Sequence, residues 1–126
     1  MSSDSKKYDL EDRLIDFSVK AIQVASSLPR TKVGYHVSGQ LIRCATSPAA
    51  NYGEAQSAES RTDFIHKMKV CLKELRETNV WLKMILRANL IRPPSKLDWL
   101  IDENIQLISI FARSITTAKG RNPKIS

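Results

Sequence analysis

Apolar residues recur at three- and four-residue intervals along almost the whole chain, a period that fits one face of an α-helix and no strand. Leu10, Leu14, Phe17, Ala21, Val24, Ala25 and Leu28 lay out a first helix near residues 9–28, with Asp9 as N-cap, Asp12 three positions on, and Pro29 as the stop. Val37, Leu41, Cys44, Ala45, Pro48 and Tyr52 carry the period through a second helix near 35–53, whose start lies between Thr31 and Val37. Pro48 lacks an amide donor and crowds the carbonyl of Cys44, so it either kinks this helix or opens a fresh one behind Ser47. The stripe stays in phase as far as Tyr52, which favours the kink.

A polar connection from Gly53 to Glu59 leads to a third and longest helix near 60–89, opened by Ser60 with Asp63 in capping relation. Its inner face is Phe64, Met68, Cys71, Leu72, Leu75, Asn79, Leu82 and Leu86. Pro93 and Pro94 break the chain, Ser95 and Asp98 repeat the cap pattern, and Leu97, Leu100, Ile101, Ile105, Ile108, Phe111 and Ile115 define a fourth helix near 95–119. Residues 1–8 and 120–126 are expected to be flexible ends. Four amphipathic helices joined by mostly short connections make an all-α, up-and-down four-helix bundle, and 126 residues suit one such domain.

No run of about 20 apolar residues is present and the N-terminus is polar, so a cytoplasmic protein with no membrane span is expected. Cys44 and Cys71 sit among apolar helical positions, where buried free thiols are the common case. The feature that points outward is charge: 20 Lys and Arg against 13 Asp and Glu give a formal net charge of +7. Such an excess favours a polyanionic partner electrostatically, although it also serves solubility alone.

On the third helix Lys69, Lys73, Arg76, Lys83 and Arg87 fall within roughly 80° of arc at about 100° per residue. They form one stripe, fit to follow the phosphates of RNA or DNA without reading sequence. The competing interpretation is a solvated face partly neutralised by Glu74 and Glu77. A protein-interaction scaffold is the other functional class, with Trp81 and Trp99 as contact residues and the positive charge aiding solubility only; ordinary core is the competing role for Trp81.

Enzymatic patterns are weak. Asp63 and His66 alone have the spacing of half a di-iron motif, and His36 and His66 lack two-histidine metal spacing; His66 is expected in a capping or surface role. No phosphate loop or nucleophile elbow occurs. No cofactor, metal or catalytic residue is therefore assigned, and a metal-dependent nuclease is the weakest alternative. Glu54, Glu74 and Glu77, with Lys67 as an internal counter-ion, are expected to be structural if they gather inside the bundle.

Within Ser47–Leu86, the residues Ala50, Asn51, Tyr52 and Glu54, then Ala58, Glu59 and Ser60, then Asp63, Phe64, Ile65 and Lys67, and lastly Glu74, Glu77, Thr78, Trp81 and Leu82 form a recognisable pattern. It resembles the S23-like four-helix-bundle family encoded in intervening sequences of bacterial large-subunit ribosomal RNA genes. The resemblance implies a homopentamer of bundles arranged as a barrel. The family also includes accessory proteins of diversity-generating retroelements, so by similarity a reverse transcriptase and nucleic acid are implied as partners.

Overall fold

The computed structural model describes residues 8–120 and contains, among these, four α-helices and no strand. They are α1 (Leu10–Ser26), α2 (Lys32–Gln56), α3 (Arg61–Arg87) and α4 (Asp98–Gly120), with a 3₁₀ turn, Pro94–Leu97, leading into the last. The expected flexible ends fall almost wholly outside the described residues.

Three helix starts are closed by side chains that accept an orphan amide of the first turn. The Asp9 carboxylate accepts from the Asp12 N–H, the Thr31 hydroxyl from Gly34 and the Ser60 hydroxyl from Asp63, each at 3.0 Å. Thr31 thereby sets the start of α2 at Lys32, earlier than the apolar stripe alone places it, and α2 runs on to Gln56 through most of the expected polar connection. Ser95 is no cap: it lies inside the 3₁₀ turn, and the α-helix begins at Asp98. α3 ends in a Schellman arrangement, with Asn89 at φ 56°, its N–H donating to the Leu86 carbonyl and the Leu90 N–H donating to the Ile85 carbonyl.

Pro48 is buried within an unbroken α2, so no new helix opens behind Ser47. The Cys71 thiol of α3 reaches the Pro48 carbonyl at 3.5 Å, which ties the two helices at this point.

Cross-helix pairs set the register. As α2 positions rise from Arg43 to Glu54, their partners on α3 fall from Glu77 to Lys67, as antiparallel neighbours require. α1 packs chiefly on α2, α2 on α3 and α3 on α4, while α1 meets α4 more sparsely than any of these three pairs. That weakest seam is clamped by the Arg13 guanidinium, which holds Glu103 by two 2.8 Å bonds.

The centre is apolar: Leu14, Phe17, Leu41, Leu75, Leu82, Leu100, Leu107 and Phe111 have no exposed surface. Each such side chain contributes about 1.5–3 kcal/mol relative to remaining in water. Both cysteines are buried and free. Asn104 is the polar exception, fully buried with its amide donating to the Leu75 carbonyl, a bond that fixes α4 against α3.

Candidate nucleic-acid interface

α3 turns Met68, Cys71, Leu75, Thr78, Leu82 and Ile85 inward. That choice rotates Lys69, Lys73, Arg76, Lys83 and Arg87 outward, and all five are exposed. From Lys69 to Arg87 the row extends about 27 Å at a helical rise of 1.5 Å per residue. Val80, exposed and within the same arc, fills the wider interval between Arg76 and Lys83, and Met84 lies exposed at its edge. The structure thus brings the five cations onto one face of one rigid rod.

The expected local neutralisation by Glu74 and Glu77 takes a different form. Both carboxylates turn toward α2, where Arg43 bridges them. The Trp81 indole donates to Glu77 at 3.1 Å, and the Trp81 ring meets His36 of α2 edge-on. This indole bond and the Arg43 guanidinium hold Glu77 below its usual carboxylate range, with Lys73 adding a smaller attraction. None of the five stripe cations lies within ion-pair distance of a carboxylate among the described residues.

Two alternatives left open by the sequence are decided by the packing. Glu54, Glu74 and Glu77 do not gather inside the bundle with Lys67. They divide into two surface pairings across the α2–α3 seam, Lys67 with Glu54 at 2.6 Å and Arg43 with the other two. The reason is geometric: Lys67 and Glu54 belong to one end of the antiparallel pair, and Glu74 and Glu77 lie two to three turns away. Trp81 is half-buried and engaged by Glu77 and His36, so it is no free contact residue, whereas Trp99 is exposed.

Arg43 is the residue that the sequence reading missed. Local spacing on α2 gives it no distinction, because its role comes from the register with α3. His66 is exposed, and no group of three or more His, Cys, Asp or Glu stands together to hold a metal among the described residues. No described helix is long and apolar enough to cross a membrane.

Comparison with known proteins adds the lineage. A crystal structure of a protein of unknown function from the S23 ribosomal protein family, from Bacteroides thetaiotaomicron, superposes with a TM-score of 0.78. It is 28% identical, and the match covers 85% of this chain and 98% of that one. No curated protein matches the chain. The model of the 23S rRNA-intervening sequence proteins matches residues 6–112, and with that span and the four-helix bundle the chain belongs to this family.

Proposed function

We propose that the protein is a non-catalytic accessory protein that binds the backbone of RNA or DNA along α3 and works as a homo-oligomer. One observation carries the reading: Lys69, Lys73, Arg76, Lys83 and Arg87 share one exposed face, and the carboxylates on their flank are engaged by Arg43 instead. Five cations on a rod release condensed counterions from a polyanion, which favours binding in proportion to the number of phosphates neutralised. A straight row with no base-reading groups fits charge and shape recognition rather than sequence recognition. On the family resemblance, the assembly is a pentamer, and its client is ribosomal-RNA-derived RNA or a reverse transcriptase with its nucleic acid.

The test is the salt dependence of binding to RNA and DNA by the intact protein and by a variant with all five cations replaced by Gln. If each of the five neutralises one phosphate, log K against log salt has a slope of about −4.5 on duplex DNA and about −3.5 on single strands. The variant is expected to flatten this slope and bind far more weakly. An unchanged slope would remove α3 from the interface.

A second reading, a protein-interaction scaffold, is favoured by exposed Trp99. Capture of partners from nuclease-treated extract separates the two classes, since RNA-bridged partners are lost and protein-bound ones are kept.

A further inference from the structure

α1 is apolar on two sides. Its inner positions, Leu14, Phe17, Ala21 and Val24, fill the core. Its outer side carries Ile15, Val19 and Ile22, exposed to 44%, 47% and 44%, at the alternating four- and three-residue spacing of a helix–helix seam. A bundle helix needs only the inner stripe, so the outer one has no partner among the described residues.

The apolar surface continues onto both neighbours of α1. On the α2 flank Tyr35 and Ile42 are exposed, and with Leu28, Pro29 and Arg30 they line a hollow of about 280 Å³. On the α4 flank Trp99 is 45% exposed, in a groove that Val19 shares. Apolar residues exposed elsewhere do not join this belt. Val80, Met84 and Leu86 belong to α3. On α2, Val33 stands about 160° around the helix from Tyr35, and on α4 Ile105 stands about 120° from Trp99.

Charge decides what can cover the belt. A second copy carries the same net charge of +7, so the cation row of α3 repels it. The belt does not, because its margins hold both signs. Glu11, Asp12 and Asp16 lie at the start of α1, Lys20 and Lys96 stand near Trp99 together with Asp98 and Asp102, and Arg30 borders the hollow. Asp16 and Asp102 are already engaged, by Tyr8 at 2.8 Å and by Gln106 at 3.0 Å, so no concentrated acidic patch selects a basic ligand.

We propose that this belt is the surface on which copies of the chain meet, the α1–α2 side of one copy against the α1–α4 side of the next. The inference rests on the homo-oligomer reading above and names its contact surface. The two sides are unlike, so the contact repeats from copy to copy, and a ring is its closed form. Adjacent sides of a four-helix bundle lie about 90° apart, and a ring of about four to six copies needs its two contact directions about 90–120° apart. Trp99 of one copy then meets the hollow of the next, where Tyr35 and Arg30 offer a ring and a guanidinium to its indole. The outer stripe of α1 faces the ring axis. α3, diagonal to α1, faces outward, so assembly leaves each row of five cations free to meet nucleic acid.

The test is the mass of the full chain in solution, by analytical ultracentrifugation. The intact protein is expected to form a closed oligomer of about four to six copies. Val19→Lys with Ile22→Lys, at exposed positions, is expected to dissociate it to monomers with the circular dichroism spectrum unchanged, and Trp99→Ala is expected to weaken assembly at least tenfold. Val80→Lys, Ile105→Lys and the five-Gln variant of α3 are expected to keep the mass. Acrylamide quenching of the intact protein, with Trp99→Phe to assign the signal, is expected to find Trp99 shielded in the oligomer and open on dilution. An oligomer that keeps its mass in the α1 double variant, that Ile105→Lys dissolves, that stops at a dimer, or that leaves Trp99 open to acrylamide overturns this proposal alone. A monomeric intact protein overturns it together with the homo-oligomer reading.

Discussion

Cys71 shows how burial acts on a single group. Desolvation pushes its thiol up to about 12, from an ordinary value of 9.0, with only a small opposing effect from a backbone hydrogen bond. The folded chain therefore keeps a proton that the unfolded chain loses above about pH 9. The sign follows: this contribution to stability is whole below pH 9 and is lost progressively as pH rises toward 12. Urea midpoints measured from pH 8 to 11 are expected to fall, and Cys71→Ala, with no proton to lose at that site, is expected to fall less steeply. Equal slopes for the two proteins would show that the thiol is not shielded in solution. Burial of Cys71 was legible in the sequence, because it lies in phase with Met68 and Leu75. Arg43 was not, because its partners Glu74 and Glu77 lie 31 and 34 residues away and only the packing of α2 on α3 brings them near.

At the scale of elements, the apolar period located all four helices, and the structure shows what periodicity leaves open. Where the cap chemistry was unambiguous, at Asp9 and Ser60, the start was readable. At Ser95 two prolines precede the cap pattern, and the backbone takes a 3₁₀ turn before the α-helix begins. The start of α2 depends on a close approach that no pattern announces. A Cβ on Gly34 would stand 1.8 Å from the Pro29 carbonyl oxygen, whereas one on Gly39 or Gly53 meets nothing within 4 Å. Ala is favoured over Gly in a helix interior by about 1 kcal/mol. At Gly34 that gain is outweighed, because the turn between α1 and α2 must open, and overpacking of this kind costs about 1–3 kcal/mol or more. Gly34→Ala is thus expected to lower the melting temperature by several degrees and Gly39→Ala to raise it slightly. A stabilising Gly34→Ala would contradict the packing of Pro29 on α2.

For the whole molecule, the arrangement of charge says more than its total. The sequence gives an excess of cations and places five on one helical arc, so the stripe itself was legible. Their separation from acid was not, since local spacing suggested pairing with Glu74 and Glu77, and the fold gives those carboxylates to α2 instead. The fold also sets α3 away from the side where Asp12, Asp16 and Asp102 are exposed. One face thereby gathers the cations, on a protein whose net charge alone would suggest a uniform surface.

Lysine acetylation of the intact protein, read by mass spectrometry with and without saturating RNA, asks directly whether the α3 row meets a polyanion. Lys69, Lys73 and Lys83 are expected to react readily in the free protein and to be protected severalfold by RNA. Lys32, exposed at the start of α2, is expected to react equally in both states. Unreactive α3 lysines in the free protein, or lysines that RNA leaves as reactive as before, would contradict the account.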